Sequence, residues 1–255
     1  MILAIDIGNT NIVLGGIREG EIVFVARMAT EHTRTEDEYG VTMKQILELY
    51  GVRPAEITGA IISSVVPPVT GAIQGAVRTV TGCTALLVKN GIRTGLNLKV
   101  ENPSALGADM IVNAVAALAE YRPPLIIFDL GTATTISVVD GERDYLGSVI
   151  CPGVRVSLDA LSEHAAQLPD IGLELPERMI GRSTVESMRS GLLYGHAAMV
   201  DGMIRYIEEE LGRPATVLAT GGLARMVVPL CRREVRYDEN LLLKGLWLLW
   251  EKNHR

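Results

Sequence analysis

The chain of 255 residues has only three cysteines, and Cys83, Cys151 and Cys231 lie far apart, without the close spacing of a zinc ligand set. An odd, scattered set supplies no disulfide framework, so a reducing cytoplasmic setting with thiols buried in the fold is the expectation. Long uncharged apolar runs are missing too, which argues against a bilayer-spanning helix. The stretch Met1 to Ile5 is too short for a secretion signal and lacks its basic flank. Positive charge is sparse: the formal net charge is −6, with no basic run beyond the Arg232-Arg233 pair, so a nucleic-acid or anionic-membrane surface is not expected. The chain also lacks tandem repeats, low-complexity tracts and any appended DNA-reading module. What remains is 48% hydrophobic and 21% charged, a globular chain able to bury a core as one large domain or two ordinary ones. Its partners should be small molecules or protein.

What is present is a duplication. DIGNTN at residues 6 to 11 recurs in altered form as DLGTATT at 129 to 135, each time after a short apolar run that reads as a buried strand. Both copies place a carboxylate, Asp6 or Asp129, at a strand end and a glycine, Gly8 or Gly131, two residues later. Glycine lets the backbone approach an oxyanion, while following N–H groups and the Asn9, Thr10, Thr132 and Thr134 side chains can donate hydrogen bonds. The carboxylate can then hold a metal ion that neutralises phosphate charge. Each copy continues through a β-branched run to a turn at Glu19-Gly20 or Asp140-Gly141, so the repeated unit is a three-stranded meander. A single Asp-x-Gly is most often an ordinary hairpin turn. Two copies heading the two halves predict paired lobes that close on one nucleotide triphosphate.

Other elements follow from periodicity. Residues 35 to 50 read as an amphipathic helix stopped by Gly51, Ile57 to Ser63 as a strand, Pro67-Pro68 as a helix start, and Thr84 to Val88 as a strand. Turn chemistry from Lys89 to Pro103 marks the loop joining the lobes. From Ala105 to Ala119 a nearly all-apolar helix carries Asp109 and Asn113 on one face, and helices apolar all round are buried. Asp109 there either complements the helix dipole and accepts from a nearby amide, or presents a carboxylate to the cleft. Pro152-Gly153 turns the chain. Ser183 or Thr184 caps a long helical pattern reaching about Leu211, interrupted by Gly191, Gly195 and Gly202, glycines that suit close packing, a second subunit among the options. Thr216 to Ala219 is a strand, and Gly221-Gly222 after it leaves room for an adenine ring, although the pair is also a common turn. Asn240 to Trp250 forms a last helix, with Trp247 and Trp250 packing on the lobe or a partner subunit. His32, His164, His196 and His254 show no ligand pattern, and Met179, Met188, Met199 and Met203 read as core filler.

These residues resemble the acetate kinase, sugar kinase, heat-shock chaperone and actin superfamily, with ATGGLA at 219 to 224 as the adenosine element. Within it the chain is most similar to type III pantothenate kinases. The resemblance runs through DIGNTN, Ser63-Ser64-Val65-Val66-Pro67, Asn102-Pro103, Gly107-Ala108-Asp109, DLGTATT, Pro152-Gly153 and the Ile180-Gly181 to Thr184 stretch, in family order across almost the full length.

It implies an α/β fold of two related ribonuclease-H-like lobes, each a mixed sheet flanked by helices, with the active site in the cleft between them. Residues 1–103 would be the N-terminal phosphate-binding lobe, and 104–255 would carry the second phosphate turn, the adenosine element and dimer helices. The implied enzyme is a cytoplasmic homodimer that phosphorylates the primary hydroxyl of pantothenate from ATP, the first step toward coenzyme A. Asp6, Ile7, Gly8, Asn9, Thr10, Asn11, Ile12 and Val13 would contact ATP phosphates and magnesium, Asp6 holding the metal, with Thr132, Gly221 and Gly222 also on ATP. Asp109 would accept the hydroxyl proton. Val100, Gly107, Ala108, Asp109, Met110 and Thr184 would line the pantothenate site, Thr184 from across the subunit boundary, and Asp129 would hold a monovalent cation, potassium or ammonium.

Three positions depart from the family pattern on the pantothenate side: Met110 where an arginine is common, Val100 where an aromatic is common, and Ser183 where an asparagine is common. The competing readings are a related small-molecule kinase with another acceptor and a nucleotide-binding regulatory protein without turnover.

Overall fold

The computed structural model of the chain describes residues 1–254. The chain forms two compact units that interleave in sequence. One comprises Met1–Gly95, Glu101–Ala116 and the segment from Asn240 onward; the other comprises Leu96–Val100 and Ala117–Glu239. A single cut at 103/104 therefore does not coincide with them.

The first unit opens with strands β1 (Ile2–Ile7), β2 (Asn11–Arg18) and β3 (Glu21–Ala29), then helix α1 (Glu36–Leu49), β4 (Gly59–Ser64), α2 (Pro67–Thr81) and β5 (Ala85–Leu87). Its sheet has the order β3-β2-β1-β4-β5, antiparallel through the meander and parallel from β1 to β4 to β5. Parallel pairing needs a long crossover, which is the reason α1 and α2 intervene. Local chemistry fixes their ends. Thr35 Oγ1 accepts from the Glu38 amide at 3.3 Å while Glu38 Oε2 accepts from the Thr35 amide at 2.7 Å, a reciprocal capping box at the start of α1. Pro67 begins α2, where its missing N–H costs nothing, and Gly82 closes the helix in a left-handed conformation. One sheet face, with Leu3, Ile5, Ile7, Ala60 and Ile62, forms the core with Tyr39, Met43, Val69 and Ile73 of the two helices.

The segment expected as a loop from Lys89 to Pro103 contains a two-residue strand, β6 (Asn97–Leu98), followed by a 3₁₀ turn at Pro103–Ala105. Helix α3 (Ala108–Glu120) then starts three residues later than the apolar run suggested, because Ala105 ends the 3₁₀ turn and the extended Leu106, then Gly107, lead into the helix.

The second unit repeats the meander as β7 (Leu125–Leu130), β8 (Ala133–Val139) and β9 (Asp144–Pro152). Helix α4 (Val154–His164) follows, and the sequence reading missed it. Its Val154 and Leu158 are buried one turn apart, and Arg155 pairs with Asp159 at 3.3 Å on the outside. Helix α5 (Thr184–Leu211) runs unbroken through Gly191, Gly195 and Gly202; its N-cap is Ser183, whose Oγ accepts from the Glu186 amide at 3.2 Å. Strand β10 (Thr216–Thr220), a single-turn helix α6 (Ala224–Val227) and β11 (Arg236–Tyr237) complete a sheet of order β11-β10-β7-β8-β9-β6. Its core joins Ile126, Phe128, Leu130 and Ile136 to Leu192, Leu193, Val200 and Ile204 of α5.

The last helix, α7 (Leu241–His254), returns to the first unit and packs on β1 and β4. Trp250 covers Gly59 and Trp247 approaches Gly20, so both tryptophans pack on the first sheet. Asn253 Oδ1 accepts from the Arg93 amide at 2.9 Å, and Lys252 Nζ donates to Thr94 O at 2.8 Å, which fastens the loop after β5. Met179, expected in the core, is 59% exposed; Met188 is buried. No helix among the described residues is long and apolar enough to cross a membrane.

Candidate active site

In the first unit Asp6 is the penultimate residue of β1, and the chain leaves the sheet at Ile7-Gly8. The corner is braced from three sides. Gly8 N–H donates to Asn11 O at 3.1 Å, Thr30 Oγ1 donates to Gly8 O at 2.7 Å, and Thr30 N–H donates to Thr10 O at 3.0 Å. Asn9, Thr10 and Asn11 are exposed at its tip, whereas the Ile7 and Ile12 side chains are wholly buried in the core. Those two isoleucines can offer a ligand only backbone groups.

Asp109 stands in the first turn of α3, in the same unit. Its Oδ1 accepts from the Met110 amide at 2.8 Å. Burial nonetheless raises its pKa above the ordinary carboxylate value, outweighing the backbone hydrogen bonds from Met110 and from its own amide that act to lower it. Asp109 thus bonds an amide at the helix start, as the dipole reading expected, and is at the same time a desolvated acid. Gly107, Ala108 and Asp109 are partly exposed, while Met110 is buried at 6%.

In the second unit Asp129 occupies the matching penultimate position of β7. Gly221, with φ +94, packs directly on it: a Cβ there would lie 2.6 Å from Asp129 Oδ1 and 2.7 Å from Leu130 backbone atoms. Gly153 presses on the Gly131-Thr132 backbone in the same way, where a Cβ would lie 2.5 Å from Gly131 O. The structure therefore gathers DLGTATT, Pro152-Gly153 and Gly221-Gly222 into one constellation, three segments that sequence separates by up to about ninety residues (129 to 222). Thr132 is exposed at its rim, whereas Thr134, offered earlier as a donor, is buried.

Val100 and Thr184 also belong to the second unit. Thr184 lines a groove of about 620 Å³ between α4 and α5, together with Cys151, Pro152, Leu161, Met188 and His196. Sequence reasoning had no route to this groove, because α4 was not recognised.

Two buried hydroxyls, Ser63 Oγ and Thr134 Oγ1, have no hydrogen-bond partner among the described residues. Leaving such a group unsatisfied costs about 1–3 kcal/mol. Ser63 had been noted only as part of a motif.

Among the described residues no three His, Cys, Asp or Glu side chains converge on a metal site. A magnesium ion that travels with a nucleotide needs only one or two carboxylates, with phosphates and water completing its shell. Asp6, beside a glycine corner and an unsatisfied buried hydroxyl one strand away, fits that requirement. The cysteines are free and partly buried, and the Cys231 thiol is pushed up to about 11 by burial and by Asp201, so it is an unreactive thiol.

Two mixed sheets flanked by helices, each headed by a carboxylate-glycine corner, define the fold of the actin-like kinases and ATPases. Solved structures agree on the fold. An activator of 2-hydroxyisocaproyl-CoA dehydratase from Clostridium difficile with bound ADPNP superimposes with TM-score 0.58 at 12% identity, covering 98% of this chain and 95% of that one. A Baf-family transcriptional-activator candidate from Campylobacter jejuni gives TM-score 0.60 at 16% identity, covering 98% of both chains. The family model of type III pantothenate kinases matches residues 2–206. A type III pantothenate kinase from Bacillus cytotoxicus is 45% identical over 253 residues, 99% of this chain and 97% of the relative. The chain belongs to the type III pantothenate kinase family.

Proposed function

We propose that Asp109 orients the primary hydroxyl of pantothenate and accepts its proton, while the Asp6 corner holds the ATP phosphates. Family membership makes the chain an ATP-dependent pantothenate kinase acting in coenzyme A biosynthesis. The observation that carries the assignment of roles is the partly buried Asp109, placed at the start of an apolar helix with its pKa raised by desolvation.

Phosphoryl transfer asks the protein mainly to align reactants and to offset charge spreading over the transferred group. In the first unit the Gly8 to Asn11 corner supplies backbone amides and short polar side chains for the phosphate oxygens. Asp6 would hold magnesium, which when bound neutralises phosphate charge and helps set the in-line geometry. An alcohol is too weak an acid for a carboxylate to deprotonate in the ground state. Asp109 therefore accepts a hydrogen bond from the hydroxyl first and takes the proton as the bond to phosphorus forms. A raised pKa brings it nearer to that task, and the hydrogen bond that Oδ1 accepts from the Met110 amide helps hold the carboxylate in place.

In the second unit Asp129, with Gly221 packed against it and Thr132 at the rim, would hold a monovalent cation and the nucleotide. Thr184 and the groove beside α5 support a homodimeric reading. The groove is mostly apolar, its Leu161 is 40% exposed, and Gly191 and Gly195 leave open space that a partner helix would fill.

The test is direct. Protein, ATP, magnesium and pantothenate, with and without potassium, should yield phosphopantothenate, and Asp109→Asn should not, although it still binds nucleotide. Nucleotide binding with no product under any salt condition would reject the acceptor in favour of another alcohol or a regulatory role.

A further inference from the structure

We propose that Ser63 is a positioning residue for phosphoryl transfer, its hydroxyl reserved for the Asp6 carboxylate and the magnesium-bound water beside it; the proposal rests on Asp6 being the magnesium carboxylate. Strands β1 and β4 are parallel, with Asp6 opposite Ser63. Neighbours in register on adjacent strands point to the same sheet face, their backbones about 4.8 Å apart. That face is the one on which Ile2 and Gly59 meet Trp250 of α7, opposite the core face of Leu3, Ile5, Ala60 and Ile62.

Ser63 is 0% exposed and its hydroxyl has no partner, although β4 is otherwise apolar up to that point. A methyl group there would satisfy the fold at least as well. The next residue shows what a structural serine looks like: Ser64 Oγ bonds Thr70 Oγ1 at 2.8 Å and accepts from the Val66 amide at 3.1 Å, fixing the entry to α2. Ser64 is consumed by the fold, whereas Ser63 is left over. The second unit carries the same arrangement, since Asp129 lies opposite Thr220 on the parallel strand β10 and Thr220 is buried at 3%. A hydroxyl one strand from the carboxylate therefore recurs at the equivalent register of both repeats. At that position Ser63 can donate to one oxygen of the Asp6 carboxylate, which would leave the other for the metal, or accept from a water that the cation would hold.

Ser63→Ala and Ser63→Thr test this in the full-length protein. Melting of the ligand-free variants, calorimetric binding of a non-hydrolysable ATP analogue with and without magnesium, and the magnesium concentration for half-maximal rate are the readouts. Ser63→Ala should melt at or above the wild-type temperature, bind the metal-free analogue unchanged, and need ~10-fold more magnesium, the size of effect expected for a hydrogen bond to a charged group. Ser63→Thr, which mirrors Thr220, should recover most of the magnesium affinity. Wild-type magnesium dependence in Ser63→Ala, or a lowered melting temperature with magnesium dependence intact, would overturn the proposal. So would a well-folded Ser63→Thr that fails to recover. Because the binding arm contains no pantothenate, it reads Ser63 even if the acceptor assignment fails.

Discussion

The Asp109 carboxylate folds back over Gly107, so that a Cβ on the glycine would sit 2.5 Å from Oδ1. The spacing Gly-x-Asp is thus a steric device: the missing side chain is the seat of the acid.

Gly107→Ala should leave the fold intact, since the neighbouring contacts are the Asp109 carboxylate and, at 3.7 Å, the Met110 sulfur. Only the acid has to move. A displacement of about 1 Å at a reacting group can cost ~10²-fold, so kcat should fall by one to two orders of magnitude with nucleotide affinity unchanged. Steady-state kinetics beside analogue binding would check it. Wild-type turnover would show that the glycine does not set the acid.

Asp109→Asn should trade activity for stability. A positioned base contributes about 10²–10⁴-fold, and turnover should drop by that order. Burial raises the Asp109 pKa, so between the unfolded and folded values the native chain binds the extra proton, and stability falls as pH rises through the folded pKa. Removing the charge should therefore raise the melting temperature at neutral pH. The gain should fade as pH drops through the raised folded value and vanish by the ordinary carboxylate value of the unfolded chain. The acid limb of the wild-type rate profile should also lie above that ordinary value. Melting curves across pH would decide, and a gain that grows toward acid pH would contradict the sign.

Gly221→Ala carries two penalties. The residue sits at φ +94, outside what an alanine adopts cheaply, and its Cβ would strike Asp129 and Leu130. A loss of about 1–2 kcal/mol from conformation alone is expected. Because Asp129, the carboxylate proposed to hold the monovalent cation, must shift, any potassium dependence of the rate should weaken as well. Thermal unfolding together with a potassium titration of the rate separates the two effects.

Glu208 and Arg233 form a two-pronged ion pair, both contacts at 2.8 Å, which pins the segment before β11 to α5. The Arg233 hydrogen bonds hold the Glu208 pKa below its ordinary value, so its contribution is present at neutral pH and lost as pH falls through that lowered value. Glu208→Gln should cost no more than ~1 kcal/mol, less at high salt, and leave kcat unchanged. Denaturant unfolding at two salt concentrations is the measurement.

The two Asp-x-Gly corners, the cap at Ser183 or Thr184 and the proline start of α2 were legible because each is written in neighbouring residues: a strand end, a turn, a short side chain reaching its own backbone. The seat of Asp109 on Gly107 was half legible, as a spacing without its geometry. Helix α4 was hidden by Pro152-Gly153, which reads as a turn and gives no sign that a helix follows. Met179 was misplaced because an apolar side chain carries no mark of whether its segment lies on the surface.

By itself the sequence determined that two halves each begin with a carboxylate-glycine corner and that a lone acid rides a greasy helix, since both are properties of short stretches. Tertiary structure alone decided that α7 closes the first unit, that Gly221 leans on Asp129, and that Ser63 stands beside Asp6 with an unspent hydroxyl. Strand register and burial are long-range outcomes: which residues become neighbours across a parallel sheet depends on how intervening helices fold back, and no local pattern records it.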